Sequence, residues 1–226
     1  MPRNLRISLT ILSVGFAFEG GGEVYTRYVG GATAPSVNLL YVLPVVLSLV
    51  GLLFVWVGRE EWNELHRVRV SMASRVFAVS LLGGLVAAVD LGVLVADPAL
   101  GTPPWAAALF GAAIGSLVFG TFVTYAYLVF HLTSNPGRTA VLVALAWAFV
   151  ISVAVAVAIA AAMSTILSIV VHQTLSVPAF VAPVDYLVSY LFISYFLLLA
   201  AYIEAHVAVA RGLATVPNVA GEPVTR

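Results

Sequence analysis

Six long runs of apolar residues, separated by breaks rich in proline and glycine, constrain this chain more than any other feature. The runs cover residues 5–18, 37–57, 76–95, 105–132, 139–171 and 184–210. A helix that crosses a bilayer needs about 20 mainly apolar residues, and its backbone groups must pair within the segment itself. We therefore predict an all-α, polytopic transmembrane bundle of about six spans. It forms a single domain over residues 1–214, followed by a short flexible tail over residues 215–226.

Two of the runs have unusual lengths. The first is short and is followed by three consecutive glycines, Gly20 to Gly22, which predict that its helix ends there. Arg3 and Arg6 before it also fit a signal sequence, but no A-x-A cleavage pattern follows, so we predict a retained helix. The fifth run is longer than one bilayer requires at about 1.5 Å per residue. We predict one tilted helix, whose outer part near residues 164–172 either extends beyond the hydrocarbon or breaks.

The composition indicates that much of the surface is in contact with lipid. Hydrophobic residues make up 62% of the chain and charged residues only 9%, whereas soluble domains are about 25% charged. So few charges cannot cover a surface that faces water, which predicts a multi-pass protein of the cell membrane. The net charge is zero and no basic stretch resembles a binding arm, so we predict no nucleic-acid partner.

The arginines predict the orientation. All ten basic residues are arginines, and with the N-terminus inside the cell only Arg27 falls on the outer side. Because Lys and Arg in short loops favour the cytoplasmic side, both termini are predicted to be cytoplasmic. An odd number of spans would scatter the arginines over both sides.

Missing residues and motifs exclude several kinds of chemistry. The chain has no lysine and no cysteine, so it can form no Schiff base, disulfide or thiolate nucleophile. It also lacks nucleotide-binding and zincin motifs. Ser116 and His206 are a serine and a histidine in apolar runs, but their depths differ too much for a catalytic dyad. We predict that the protein is not an enzyme.

Asp90 is the most informative polar residue, because it falls well inside the third run. A carboxylate at that depth is costly unless it is protonated, paired or hydrated, and such residues are candidates for function. Asp97 lies two helical turns further on, and Asp185 is on the same outer side, as are Glu19 and Glu23 in the loop after the first run. The sequence thus predicts a cation or proton path from an acidic outer mouth to Asp90. The alternative is a neutral, hydrogen-bonded acid near the outer interface.

Two histidines share a local pattern at the inner ends of the fourth and sixth runs. His131 and His206 each follow a tyrosine by four residues, and so lie on the face of that tyrosine. Two imidazoles at equal depth can ligate a haem iron, or can hold a metal ion together with His66. The alternative is that these side chains are interfacial anchors. No cofactor is therefore predicted outright, and haem or metal stays an alternative.

Small residues at intervals of four predict where the helices pack closely, because helices in lipid associate by backbone approach. Such stripes occur in the third, fourth and fifth runs, which are predicted to form the centre of the bundle. The packing residues in the third and fourth runs are Ser80, Gly84, Ala88 and Gly92, then Ala108, Ala112, Ser116 and Gly120, with Gly111 and Gly115 beside them. The stripes are also compatible with self-association.

One dense charged segment joins the second and third runs. We call it the collar, and its marked residues are Glu60, Trp62, Glu64 and Arg67. The glutamates and arginine have helical spacing, which predicts a short helix at the lipid boundary with Trp62 resting on that boundary. The collar is alternatively a docking surface for a partner subunit.

Three function hypotheses follow, and the first is favoured because an intramembrane carboxylate is costly to keep. The protein is a small transporter or channel for a cation or proton-coupled solute, with Asp90 as its carboxylate. Alternatively it is a non-catalytic subunit or assembly factor of a larger membrane complex, docked through its stripes and collar. The third hypothesis is a haem- or metal-binding redox protein of the membrane.

Overall fold

The computed structural model describes residues 3–25, 28, 37–66, 70–97, 102–172 and 186–211. Within these ranges, the side chains of residues 37–42, 45, 63–66, 165 and 168–172 lie outside the description. The described residues form α-helices and no strands. The helices are α1 (Arg3–Tyr25), α2 (Val37–Val57), α3 (Arg59–His66), α4 (Val70–Ala96), α5 (Pro104–Phe130), α6 (Asn135–His172) and α7 (Phe192–Ala210).

Four helices in the described part of the chain are long and apolar enough to cross a membrane. They are Val70–Ala96, Pro104–Phe130, Asn135–Ser164 within α6, and Tyr186–Ala210, which includes α7 and the helical turn before it. These four match the predicted third to sixth runs and are consistent with an integral membrane protein. The first two predicted spans are not among them. Charged residues and glycines lower the hydropathy of α1, and in α2 the side chains are described without a gap only over the apolar stretch Val46–Val57.

The predicted end of the first helix at the glycines was wrong. Helix α1 continues through Gly20 to Gly22 and ends at Tyr25. Glycine disfavours a helix by only about 1 kcal/mol relative to alanine, so packing can override it. A Cβ atom on Gly20 would lie 3.3 Å from the Phe196 ring, so the glycine permits a close approach of α1 to α7. The glycines therefore serve packing here, and α1 is long enough to carry further residues into the bundle.

The predicted fifth helix is one continuous helix, without the break that was one of the two alternatives. Helix α6 contains 38 residues, which at 1.5 Å per residue corresponds to about 57 Å. It also starts earlier than predicted, at Asn135, because Pro136 is compatible with the first helical turn. A hydrocarbon core of about 30 Å is too thin to contain such a helix unless part of it extends outside.

Helix α1 belongs to the centre of the bundle, which differs from the prediction that the third to fifth runs form it. It packs between α2 and α7, and its inward side chains are fully buried, namely Leu5, Leu9, Leu12 and Phe16. Helix α5 packs between α4 and α6, and α6 packs against α7. Helix α4 packs almost entirely against α5, so it is peripheral, and its other face carries exposed apolar residues such as Val79 and Leu85.

The α4–α5 interface contains only part of the predicted stripe on α4. Gly84 lies against Leu117, and Ser80 lies so close to Gly120 that a Cβ on that glycine would overlap its hydroxyl. Ala88 and Gly92 lie on the exposed face instead. Steps of four residues advance about 40° beyond a full turn of 3.6 residues, so a strict stripe drifts around the helix. The buried face of α4 instead follows Ala73, Ser80, Ala87, Asp90 and Leu94.

The α5–α6 interface is built on the two glycines beside the predicted stripe of α5. Gly111 packs against the backbone of Ala156, and a Cβ on Gly115 would lie 2.9 Å from the carbonyl oxygen of Ser152. The stripe itself turns away, since Ala108 and Ala112 are exposed. Ser116 lies at the edge of the α4 interface, where a Cβ on Gly83 would be 2.5 Å from its Oγ.

Hydrogen bonds from side chains tie α7 to its neighbours. The Ser194 Oγ donates to the carbonyl oxygen of Ala144 over 2.9 Å, and the Trp147 Nε1 donates to that of Tyr190 over 2.8 Å. At the other end of α7, the Glu204 carboxylate accepts a bond of 2.8 Å from the backbone N–H of Ser134. A polar pair within a bundle adds about 1 kcal/mol, so these bonds mainly fix the register of α6 against α7.

The collar forms the short helix α3, which folds back onto the start of α1. The Glu61 carboxylate accepts hydrogen bonds from the Asn4 side chain at 3.0 Å and from the backbone N–H of Leu5 at 2.9 Å. The prediction that Trp62 rests on the lipid boundary was wrong, because its side chain is fully buried. Trp62 is therefore not available for docking a partner, whereas Glu60 is exposed. The side chain of Glu64, the residue Arg67 and the predicted tail over residues 215–226 lie outside the description.

Replacing Glu61 with alanine is expected to lower the free energy of unfolding by about 1–2 kcal/mol. Glu61 satisfies a backbone N–H at the start of α1, as a helix cap does, and loss of a cap has this effect. Reversible unfolding in mixtures of dodecyl maltoside and SDS measures the difference. The matched control is Glu60→Ala, which removes the same charge from the neighbouring exposed position. Equal stability of the two variants would contradict the capping role.

Candidate functional site

Two glutamates on α1 point into the bundle and begin a polar cluster. Glu19 and Glu23 are one helical turn apart and so share a face of α1. Glu23 is buried, with 5% of its surface exposed, and Glu19 is half-buried. The Glu19 carboxylate lies close to the hydroxyl group of Tyr195 on α7. Tyr195 is also close enough to Glu23 to interact with its charge.

Further hydroxyl groups extend this cluster across the bundle. Tyr125 on α5 interacts electrostatically with Tyr195, and its hydroxyl group lies close to the side chain of Ser48 on α2. Tyr202 lies two helical turns after Tyr195 on α7. Its hydroxyl group donates a hydrogen bond to the carbonyl oxygen of Tyr125 over 3.0 Å. We call Glu19, Glu23, Ser48, Tyr125, Tyr195 and Tyr202 the polar cluster. Its members come from four helices.

Aromatic packing fixes the positions of the tyrosines. The Phe16 ring is fully buried and lies edge-on to Tyr125 and to Tyr202, with a centroid distance of 5.0 Å in each case. It also stacks on Tyr195 at 6.3 Å, and Phe122 contacts Tyr195 from the other side at 4.9 Å. Such ring pairs are each worth about 0.5–1.5 kcal/mol beyond the burial of their area. The hydroxyl groups are therefore held in a rigid, apolar frame.

The cluster extends over much of the length of the helices. Glu19 lies about 24 Å along α1 from Arg3, and Ser48 lies about 14 Å along α2 from Val57, at 1.5 Å per residue. Arg3 and Val57 are at the same end of the antiparallel pair, because Gly58 contacts Asn4. The polar groups thus run from deep in the bundle towards the end that carries the N-terminus.

Sequence reasoning missed the acidic part of this cluster. It assigned Glu19 and Glu23 to the outer loop, because the first run was predicted to end at Phe18. A signal was nevertheless present in the spacing. The buried face of α1 advances in steps of three or four residues, through Leu5, Leu9, Leu12, Phe16, Gly20 and Glu23, with Glu19 beside it. Continuing this period past the glycines places both carboxylates on the buried side.

Asp90 lies on the buried face of α4, away from the polar cluster in sequence and on another helix. Its side chain is 8% exposed, and its Oδ2 atom has no hydrogen-bond partner within the described residues. Ser80 sits beside Gly120 in this antiparallel pair, so the register brings Asp90 level with Phe110. Asp97 is exposed and follows the end of α4. Asp185 lies outside the described residues.

His131 and His206 do not share one environment. His131 is exposed at the end of α5, with its ring edge-on to Tyr127 and Phe130 of the same helix. His206 lines a groove between α7 and α1 together with Arg3 and Arg6. The side chain of His66 lies outside the description. No group of three His, Cys, Asp or Glu residues that can hold a metal ion occurs among the described residues. Ligation of haem by His131 and His206 stays a prediction.

The chemistry available to the polar cluster is proton transfer and binding of cations. A carboxylate can bind a proton or a cation, and a hydroxyl group both donates and accepts a hydrogen bond. No protein-family model, curated protein or solved structure matches the chain. Function is therefore inferred from its own residues.

Proposed function

We propose that the protein is a six-span transporter or channel of the cell membrane, which moves a cation or a proton-coupled solute. The observation that carries this proposal is the close approach of the Tyr195 hydroxyl to Glu19, inside the bundle and next to the buried Glu23. Ionisable groups in the middle of a membrane bundle are expensive, and those that persist typically belong to ion or proton pathways.

The proposed topology uses α1, α2 and the four long apolar helices as spans, with both termini in the cytoplasm. Arg3, Arg6 and Arg59 all lie at the end of the bundle where α1 begins and α2 ends. Arg75 and Arg138 lie within the first two turns of α4 and α6, which an even alternation of spans brings to the same side. Arginines gathered on one side indicate that this side is cytoplasmic.

The order of groups in the polar cluster favours a proton as the coupled or transported ion. Within the polar cluster, Glu23 and Glu19 lie nearest the outer side in the proposed topology, and Tyr195 and Tyr125 follow towards Ser48. Each hydroxyl can accept a proton from one neighbour and donate its own to the next. Aromatic rings fill the space between these groups, which favours transfer along a chain of side chains over an open aqueous pore for larger ions.

We propose that Asp90 is a further carboxylate of the same cation or proton pathway. Its depth in the third apolar run predicts this role. A buried carboxyl oxygen without a partner is costly in an apolar environment. Protonation or binding of a cation relieves that cost. Glu19 and Glu23 of the polar cluster, together with Asp90 on α4, then provide three carboxyl groups on the outer half of the bundle.

Replacing Asp90 with asparagine is expected to lower ion entry into proteoliposomes at least fivefold. A potassium gradient with valinomycin sets an interior-negative potential, and a trapped pH-sensitive dye reports proton entry. A sodium-sensitive dye in a parallel set of vesicles tests sodium as the ion. Glu60→Gln, an exposed change in α3, is the control and should retain the wild-type rate. An unchanged rate in the Asp90 variant would remove this residue from the proposed pathway, and wild-type vesicles no more permeable than protein-free vesicles would overturn the function.

A further inference from the structure

A groove of about 500 Å³ lies between the start of α1 and the end of α7, outside the polar cluster. Its lining combines cationic and apolar side chains from the two helices. They are Arg3, Arg6, Ile7, Thr10, Ile11 and His206. Arg3 and Arg6 are exposed and lie three positions apart on α1, so both guanidinium groups lie on one side of the helix.

The electrostatic character of the groove is positive. Two carboxylates of the described residues at this end of the bundle bind other groups. Glu61 binds Asn4 and the N–H of Leu5, and Glu204 of α7 binds the N–H of Ser134 on the α6 side. Among the described residues that line the groove, none is acidic. Two arginines and an imidazole thus face one volume, and a guanidinium group matches the geometry of a phosphate with two parallel hydrogen bonds.

The apolar part of the groove continues from the charged end along α1. Ile7 and Ile11 are one turn apart and lie beyond the arginines, in the direction of the bilayer centre in the proposed topology. A free inorganic anion has no apolar part that could pack on such a surface. A phospholipid has both parts, a phosphate at the interface and an acyl chain that runs alongside the helices, and basic pockets between spans bind anionic head groups.

We infer that this groove binds an anionic phospholipid of the cytoplasmic leaflet. The lipid phosphate accepts hydrogen bonds from Arg3 and Arg6, and His206 flanks the head group from α7. One acyl chain packs on Ile7 and Ile11. This inference depends on the proposed orientation for its choice of leaflet, but not on transport, since none of these residues belongs to the polar cluster.

Native mass spectrometry of the full chain, released from detergent, tests the inference. The purified protein is titrated with phosphatidylglycerol, with phosphatidylcholine of the same chains, and with inorganic phosphate. We expect phosphatidylglycerol to bind at least tenfold more tightly than phosphatidylcholine, and inorganic phosphate to give no retained adduct. The double variant Arg3→Gln/Arg6→Gln should lose at least tenfold in affinity for phosphatidylglycerol.

A second double variant controls for charge alone. Arg59→Gln/Arg75→Gln removes the same charge from exposed positions outside the groove and should bind phosphatidylglycerol as the wild type does. Equal weakening by both double variants would mean a diffuse electrostatic attraction and would overturn the site. Tight binding of inorganic phosphate would overturn the lipid as ligand. Ile11→Ser should weaken phosphatidylglycerol binding with both arginines intact, and no weakening would overturn the placement of the acyl chain.

Discussion

Gly111→Ala is expected to lower the free energy of unfolding by about 2 kcal/mol, although alanine is the better helix former. A Cβ atom on Gly111 would overlap the carbonyl oxygen of Ala156 and would lie 3.1 Å from the Cβ of Ala160. The first of these atoms belongs to a helix backbone, so it cannot move out of the way by a rotamer change. Helices α5 and α6 must separate to accept the methyl group, and they lose the close contact that holds them together in lipid.

The same substitution at Gly92 provides the matched control. Gly92 is in the middle of a helix as Gly111 is, but it is exposed and no atom lies within 4 Å of the position of its Cβ. Gly92→Ala should leave stability unchanged or raise it by up to about 1 kcal/mol, because alanine restricts the unfolded chain. Reversible unfolding in dodecyl maltoside and SDS mixtures, followed by tryptophan fluorescence, compares the variants. Equal free energies for the two would contradict the packing at Gly111.

The long apolar helices were the part of the fold that sequence reasoning could predict. Apolar length reflects the thickness of the solvent, so α4, α5, α6 and the Tyr186–Ala210 helix follow from composition and breaks. It is harder to predict which face of a helix packs against the bundle, as α4 shows. Its stripe of small residues contains Gly84 at the interface and Gly92 on the exposed side. Lipid and protein interior are equally apolar, so hydropathy gives no sign of which face packs.

The polar cluster could not be predicted because it depends on contacts between distant segments. Tyr195 and Tyr125 look like ordinary interfacial or apolar-run tyrosines in the sequence, and their hydroxyl groups find partners only when α1, α2, α5 and α7 come together. Glu19 was assigned to a loop because a triple glycine followed it. Glycine is disfavoured in water-exposed helices, but in a bundle it permits close approach, as Gly20 does against Phe196. The same residue type therefore gives opposite signals in the two environments.

Trp62 and Glu61 illustrate the same limit at the membrane surface. An aromatic residue among charges at the end of a span is typical of an interfacial anchor. The chain instead folds α3 back onto α1, which buries Trp62 and directs Glu61 to the N–H of Leu5. That fold depends on the position of α1, which lies more than fifty residues earlier in the chain. Local patterns carry no information about such a contact.

Glu19→Gln is expected to reduce proton entry into proteoliposomes to the level of protein-free vesicles. Glutamine has the size of glutamate, and its amide oxygen can still accept a hydrogen bond from the Tyr195 hydroxyl, so the packing around α1 and α7 is retained. What the amide cannot do is take up or release a proton. The variant therefore separates the titratable group from the shape of the site, and its unfolding free energy should remain within about 1 kcal/mol of the wild type.

Tyr195→Phe tests the next step of the proposed chain. It removes only the hydroxyl, and the ring still stacks on Phe16 and Phe122. If protons pass from Glu19 through this hydroxyl, entry should fall about tenfold, because a transfer across the remaining gap requires a water molecule in an aromatic environment. Normal proton entry in both the Glu19 and the Tyr195 variants would show that the polar cluster is only structural. A loss in Glu19→Gln with a normal rate in Tyr195→Phe would instead mean that Glu19 binds the ion and that the ion leaves by another route. These outcomes distinguish ion binding from ion conduction, because Glu19 carries a charge and Tyr195 does not.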